Sequence, residues 1–129
     1  MILEHADITI PAGRNAEFEE AIQRGIATVI STAKGFVDAR VHKGIESPER
    51  YILTIHWETL ENHTVDFRGG PLFPAWRAIV GPFFAKPPVV EHFDLVPGVI
   101  AMAASMAVCT FGAVRWGDEF WMAILRRGG

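Results

Sequence analysis

The sequence predicts an α+β domain over residues 1–96, with strands and helices in the order β-α-β-β-α-β. Three observations predict this class. Four segments alternate or are rich in β-forming residues, two segments repeat apolar residues at helical spacing, and clusters of glycine and proline separate them. A chain of 129 residues with a hydrophobic share of 50% and 21% charged residues is long and apolar enough for one compact core.

The first strand and the first helix have the clearest patterns. Residues 2–10 alternate between two sets of side chains until a Pro-Ala-Gly sequence at 11–13 stops the pattern. From residue 15 the period changes, because apolar residues then recur at three- and four-residue steps as far as Ile30. Asn15 is predicted to cap this amphipathic helix, and Gly35 lies where such a helix is expected to end.

The remaining elements are a hairpin, a broken helix and a last strand. Residues 36–43 and 51–58 are β-rich runs that should pair antiparallel across a loop containing Gly, Ser and Pro. A short helix over 59–67 is interrupted by Gly-Gly-Pro and resumes over 72–84, and residues 89–96 alternate as a strand. This ferredoxin-like order places both helices on one face of an antiparallel sheet and leaves the other face for a second protomer to cover.

Charge and composition exclude several classes of protein. The formal net charge is −3 and the chain has no run of Lys and Arg, so no electrostatic footprint for nucleic acid is present. The single cysteine, Cys109, cannot form an internal disulfide, and the N-terminal residues lack the features of a signal peptide, which predicts a cytoplasmic location. Nine Phe and four Trp exceed what a lone small domain usually buries, which predicts a homo-oligomer.

Four short motifs in the second half of this domain carry a resemblance to a known family. They are ILTIHWETLENH at residues 52–63, FRGGPLF at 67–73, GPFF at 81–84 and VEHF at 90–93. The most recognisable parts are Trp57 at the end of a strand, the nearby His63 and the Glu-His-Phe of the last strand. Together these motifs resemble the antibiotic biosynthesis monooxygenase family, over residues 1–96.

The resemblance implies a homodimer that forms a dimeric α/β barrel, with a pocket in each protomer between the helices and the sheet. Members of the family oxidise aromatic or quinone-like substrates with molecular oxygen and without metal or flavin, others degrade haem, and many have no known activity. The quinone-forming members are similar in having an Asn at the start of the second helix. Asn62 matches that position, whereas the aromatic partner expected one turn later falls at Asp66 or Phe67.

The haem-degrading members resemble this chain less closely. Their pattern requires an axial His late in the second helix and an Asn on the first strand. This chain carries Trp76 and Arg77 in that helix, and Glu4, His5 and Ala6 on that strand. A haem-degrading function is therefore not favoured.

The candidate catalytic residues are His63, Asn62 and His56. Oxygenation of a phenol without a cofactor needs a base, a dry pocket and a donor for developing negative charge. His63 is the first choice for a base or proton shuttle because histidine titrates near neutrality, and the alternative is a solvated residue at a helix start. His5 and His56 would meet His63 at one pocket if their strand faces point toward the helices, and Asn62 is a candidate through the resemblance.

The candidate substrate-binding residues are Trp57, Phe67, Arg68, Trp76 and His92. Aromatic walls suit a flat apolar ligand, although an aromatic residue at helical spacing is more often part of the core. Arg68 would steady an oxyanion or lie at the surface, and His92 would line the site or bond within the sheet. The histidine spacings do not match a metal site that includes a carboxylate, so neither a metal nor a cofactor is expected.

The segment 97–129 lies outside the resemblance, and residues 99–114 carry no charge. A helical extension that packs on the barrel or on a partner protomer, anchored by Trp116, Phe120 and Trp121, is favoured. A membrane span is less favoured, because the apolar run is shorter than the about 20 residues that cross a bilayer. A shifted reading frame is a third possibility that sequence leaves open.

The leading function is a cofactor-independent monooxygenase that oxidises a small aromatic or quinol-type compound with O₂. The alternative is a non-catalytic dimeric barrel that binds a small hydrophobic ligand or serves in a stress response. The fold alone does not separate them. An enzyme requires His63 or His56 to face an aromatic cavity, whereas a binding protein does not.

Overall fold

Four strands form one antiparallel sheet in the computed structural model, which describes residues 1–103. The strand order is β2-β3-β1-β4, and every neighbouring pair is antiparallel. The predicted ferredoxin-like α+β fold is therefore confirmed. The strands are β1 (Ile2–Thr9), β2 (Phe36–Lys43), β3 (Arg50–Trp57) and β4 (Val89–Asp94).

Both helical regions contain short segments whose helical pitch differs from that of an α-helix. The first, α1 (Asn15–Thr28), is followed by a 3₁₀ turn at Ile30–Thr32. The second begins with a π-helical segment at Asn62–Phe67, continues as α2 (Leu72–Val80) and ends in a 3₁₀ turn at Gly81–Phe83. The second helix is broken as predicted, but its first part is a π-helix, whose wider turn is a common feature of functional sites.

The alternation along β1 and β3 gives the sheet two different faces. Glu4, Ala6 and Ile8 are buried on one side of β1, and their register partners on β3 are Ile55, Leu53 and Tyr51, which are also buried. We call this side, which packs against the helices, the helix face. The opposite side is the open face, and its members on these two strands are Leu3, His5, Asp7, Thr9, Arg50, Ile52, Thr54 and His56.

The hydrophobic core lies between the helix face and the helices. Phe18 of α1 contacts the rings of Tyr51 and Phe83, with centroid separations of 4.8 and 5.8 Å. Burial of such apolar surface is the main stabilising term of the fold. The almost fully buried core residues include Ile8, Phe18, Ile22, Ile30, Ile55, Trp57 and Val80.

Asn15 does not cap the first helix, which corrects the prediction. The N-cap position is Arg14, and no side chain bonds to the helix end there. The Asn15 amide instead donates at 2.8 Å to the carbonyl of Pro48 and at 2.8 Å to the hydroxyl of Tyr51. The tertiary partner is favoured because it satisfies the buried phenol, which itself donates to Glu19 at 2.6 Å.

The described chain after β4 has no regular secondary structure. Residues 1–95 form one compact unit, and a second unit begins at Val96. A turn lies at Pro97 and Gly98, and residues 99–103 are not helical. The rest of the predicted helical extension, with its anchors Trp116, Phe120 and Trp121, lies outside the described residues. Within residues 1–103, no helix has both the length and the apolar character needed to cross a membrane.

Candidate active site

A cavity of about 540 Å³ lies against the helix face of the sheet. This volume is in the range of pockets that hold drug-sized ligands. The walls are mainly apolar, and the polar lining consists of Glu4 and His63 together with three cations, Arg68, Arg77 and Lys86. The principal apolar lining residues are Ala6, Ile8, Leu53, Phe67, Phe73 and Trp76.

Glu4 is a buried carboxyl group in the cavity wall, and only 6% of the residue is exposed. The indole Nε1 of Trp57 donates a hydrogen bond of 2.9 Å to its Oε1. Burial raises the pKa of Glu4 from 4.5 to about 7, although the Trp57 bond and the charge of Arg68 both oppose that rise. Glu4 can therefore hold or release a proton near neutral pH.

His63 is held between Glu4 and the last strand. Its ring stacks on Trp57 with a centroid separation of 5.4 Å and an interplanar angle of 17°. Its Nε2 lies 3.3 Å from Oε1 of Glu4, and its Nδ1 lies 2.7 Å from Nε2 of His92. Burial lowers the pKa of His63 to about 4, and the charges of His92 and Arg68 act in the same direction. His63 is thus a neutral imidazole at pH 7, with one N–H donor and one acceptor nitrogen.

His92 completes a continuous chain of titratable groups. It is the register partner of Glu4 across β1 and β4, so it lies on the helix face. Burial, and to a smaller extent the charge of Arg68, lowers the pKa of His92, which is only half-buried. The Glu4–His63–His92 chain therefore connects the cavity wall to the partly exposed last strand.

Four of the residues named from the sequence lie at the cavity. His63, Phe67, Arg68 and Trp76 line it. Trp57 lies behind them, fully buried and bonded to Glu4. His92 contacts His63 in the chain described above. Their roles in catalysis and binding stay predictions.

Asn62 and His56 are not brought to the cavity. The Asn62 side chain accepts a hydrogen bond from the backbone N–H of Thr59 at 3.0 Å and donates to Asp66 at 3.1 Å, so it orders the start of the second helical region. His56 lies on the open face, where its Nδ1 is 2.6 Å from Oδ1 of Asp38. The sheet separates His56 from the cavity.

The strand faces explain where the histidines lie. His5 and His56 do not face the helices, because the alternate set on β3, which ends in Trp57, is the more apolar and occupies the core. His92 is the strand histidine that faces the cavity side, through its register with Glu4. The face of the sheet to which a strand position points therefore determines which histidine contacts His63.

Glu4 is the residue of this site that the sequence analysis misses. A signal for it was present, since Glu4 is in phase with Ala6, Ile8 and Ile10, which are all buried. A carboxylate on the apolar side of an alternating strand is rarely buried without a specific reason. Among residues 1–103, no group of three or more His, Cys, Asp or Glu side chains is arranged to hold a metal ion.

The domain is ferredoxin-like, with a cavity against the helix face of its sheet. The chain belongs to the antibiotic biosynthesis monooxygenase family, whose model matches residues 1–79. The predicted family is therefore confirmed.

Known relatives agree with this assignment. YczJ of Bacillus subtilis, an uncharacterized protein, is 39% identical over 94 residues, which cover 73% of this chain and 98% of YczJ. A crystal structure of a Bordetella bronchiseptica protein named for the same family is 41% identical, with a TM-score of 0.70, and the match covers 74% of this chain and 96% of that one. SnoaB of Streptomyces nogalater, named a cofactor-independent oxygenase, is 16% identical with a TM-score of 0.64. The match covers 76% of this chain and 95% of SnoaB, and it is a similarity of fold alone.

Proposed function

We propose that this protein is a cofactor-independent monooxygenase that oxidises a small aromatic or quinol-type compound with O₂. The observation that carries the proposal is a buried carboxyl group in contact with a neutral imidazole, at the polar part of an apolar cavity. Family membership supports a monooxygenase in general terms. The name of SnoaB, which shares the fold, supports a mechanism without a cofactor.

Glu4 is the proposed base. An aromatic substrate must lose a proton before it is electron-rich enough to react with O₂, and a base is most effective when its pKa lies near the working pH. The pKa of Glu4, about 7, meets this condition. Trp57 and His63 both contact Oε1, and no hydrogen bond within residues 1–103 involves Oε2. The second carboxyl oxygen is therefore available for a substrate proton.

His63 and His92 are proposed to carry that proton transiently, and it returns readily because the pKa of His92 lies below that of Glu4. Once the carboxyl group of Glu4 has rotated to bring its protonated oxygen to His63, it can donate to Nε2 of His63 while the Nδ1 proton of His63 moves to Nε2 of His92. The corresponding contacts are 3.3 and 2.7 Å long. The net result is a change of tautomer at His63, with no added charge on that buried ring. The charge appears on His92, which is half-buried and contacts water more easily.

The reaction balances without an external reductant. The deprotonated substrate donates electrons to O₂, a C–O bond forms, and the resulting peroxide takes back the stored proton. Loss of water then removes the hydrogen of the carbon that O₂ attacked and leaves a carbonyl there, so that one oxygen atom enters the product and the other leaves as water. The apolar walls, including Phe67 and Trp76, keep competing water away from the intermediates.

The test is oxygen uptake by the purified protein, in the presence of a chelator, with a panel of anthrones, naphthols and hydroquinones, each with and without a ring carboxylate. Glu4→Gln and His63→Gln should each reduce kcat/KM by about 10²- to 10⁴-fold, because each removes a proton-transfer group. His56→Gln is the matched control, since His56 lies on the open face.

The outcomes separate the proposed function from its alternative. Saturable uptake that falls in the two cavity variants and not in His56→Gln supports the monooxygenase. If no compound gives uptake above the buffer blank, the proposal fails, and ligand binding without oxygen consumption would then favour the non-catalytic barrel. Equal losses in all three variants would also contradict the proposed site.

We also propose that a second copy of this chain covers the open face. Val89 and Phe93 of β4 are 55% and 48% exposed there, an unusual position for large apolar side chains. Light scattering after size-exclusion chromatography should give the mass of a dimer for the natural chain and that of a monomer for Phe93→Glu. A natural chain that runs as a monomer would overturn the dimer.

A further inference from the structure

We infer that the cavity takes an aromatic carboxylic acid, whose ring lies among the apolar walls and whose carboxylate is bound by Arg68 and Arg77. The inference deepens the proposed function by naming its substrate class. Both arginines line the cavity and are exposed, so they lie where the cavity meets solvent.

The two arginines at the cavity have no acidic partner, whereas three of the other four arginines in residues 1–103 have one and Arg40 is the exception. Arg14, Arg24 and Arg50 each have a carboxylate oxygen within 2.9, 3.1 and 2.6 Å. Within residues 1–103, neither Arg68 nor Arg77 has such an oxygen within 4.0 Å. Two unpaired guanidinium groups at one cavity are a natural place for a ligand anion, because the planar guanidinium matches a carboxylate with two parallel hydrogen bonds.

The electric field in the cavity favours an anion. Arg68 lowers the pKa of Glu4, His63 and His92, so its positive charge acts across the polar part of the site. Lys86 adds a third cation to the lining, and Glu4 is the one acid among the lining residues that belong to residues 1–103. This positive region is local, since the whole chain carries a formal net charge of −3.

The walls next to these cations favour an aromatic ring. The guanidinium of Arg77 lies 5.8 Å from the ring centre of Phe73, which holds it beside an aromatic wall. Phe67 and Trp76 provide further aromatic surface in the same cavity. A ligand with a flat apolar body and one carboxylate therefore matches both parts of the site, whereas a neutral aromatic compound would leave the arginines unused.

The test compares 2-naphthoate with 2-naphthamide by calorimetry on the full chain. The two probes share a ring system and differ in charge. Naphthoate should bind about 10- to 100-fold more tightly, as a charge-assisted hydrogen-bonded pair is worth about 1.5 to 3 kcal/mol. Arg68→Gln and Arg77→Gln should each weaken naphthoate binding and leave naphthamide binding unchanged, and Arg68→Lys should be intermediate because it keeps the charge without the planar group.

Arg40→Gln is the control, since Arg40 is paired in register with Thr54 on the open face. It removes the same charge and should change neither affinity. Equal binding of the two probes, equal losses for both in the arginine variants, or no binding of either would overturn the inference. This experiment measures binding and does not depend on turnover. If the protein prefers naphthoate but consumes no oxygen with any compound, the proposed function is wrong and the inference about the ligand still holds.

Discussion

The two faces of the sheet each carry a contact between a histidine and a carboxylate, and the two contacts have different chemistry. On the helix face, His63 and Glu4 are 3.3 Å apart, and their side chains are 4% and 7% exposed. On the open face, His56 and Asp38 are 2.6 Å apart, and their side chains are 31% and 46% exposed. The shorter contact, between His56 and Asp38, is the more exposed one, so distance alone does not identify the reactive pair.

Burial accounts for the difference. The free energy lost when a charged group leaves water exceeds the free energy gained from a single polar partner. Burial therefore favours the neutral form of each group. The pKa of Glu4 is raised and that of His63 is lowered for this reason. A buried pair that prefers to be uncharged can pass a proton without first separating a stable ion pair, whereas water solvates the pair on the open face.

The largest expected effect is on the free energy of unfolding, and it compares one side chain from each face of β3. Trp57→Ala should lower the free energy of unfolding by about 3 to 5 kcal/mol, because it leaves a large cavity and removes the hydrogen bond to Glu4. Ile52→Ala, on the open face of the same strand, should cost about 1 kcal/mol. Urea denaturation in the monomeric Phe93→Glu background measures both, so that a second copy on the open face does not contribute. Similar losses would mean that the open face is as tightly packed as the helix face.

The second prediction concerns how stability depends on pH. The pKa of Glu4 is raised from 4.5 to about 7, so its contribution to stability is full below 4.5 and is lost as pH rises through about 7. The pKa of His63 is lowered from 6.5 to about 4, so its contribution is full above 6.5 and is lost as pH falls through about 4. The two slopes oppose each other, and the natural chain should vary little in stability between pH 4.5 and 6.5, apart from a small rise with pH that the lowered pKa of His92 contributes.

Each single variant should reveal the slope of the other group. Glu4→Gln should gain about 3 kcal/mol as pH rises through the range in which His63 differs between the folded and unfolded states. His63→Gln should lose about 3 kcal/mol as pH rises through the corresponding range of Glu4. Urea denaturation at closely spaced pH values measures these slopes, and the exposed Glu46→Gln should keep the flat profile. Profiles of the same sign in both cavity variants would contradict the assigned pKa directions.

The fold could be predicted further than the site because repeating patterns determine strands and helices. Alternation identifies the strands, helical spacing identifies α1, and the Gly-Gly-Pro sequence marks the break in the second helix. The aromatic content and the resemblance point to His63, Phe67 and Trp76, which all line the cavity. Each of these inferences uses information that is local in sequence or shared with a family.

The parts that sequence could not supply depend on three-dimensional register. The more apolar set of β1 and of β3 marks the helix face, which places Glu4 there and His56 on the open face. The pattern along a strand does not show, however, that Glu4 lies beside His63 at a cavity. The π-helical turn that helps to bury His63 and Phe67 together has no simple periodic signature. His63 and His92 are 29 residues apart in the chain, and only the pairing of β4 with β1 brings them into contact.

The third prediction alters the buried pair without removing it. Trp57→Phe keeps an aromatic ring beside His63 but removes the indole N–H that donates to Glu4 at 2.9 Å. That hydrogen bond stabilises the carboxylate, so its loss should raise the pKa of Glu4 by about one unit. Infrared titration of the protonated carboxyl band, assigned by its absence in Glu4→Gln, measures the change. An unchanged titration midpoint would mean that burial alone controls this carboxyl group.

The smallest expected effect on stability comes from a substitution in the His56–Asp38 pair of the open face. Asp38→Asn removes the charge of the carboxylate partner of His56 while keeping nearly the same shape. Because both side chains are partly exposed in a single protomer, the free energy of unfolding should fall by about 1 kcal/mol or less when it is measured in the monomeric Phe93→Glu background. The titration of Glu4 should not move, since the sheet lies between the two sites. Chemical denaturation and the same infrared band measure these two quantities, and a shift of the Glu4 midpoint would show that the two faces are electrically coupled through the sheet.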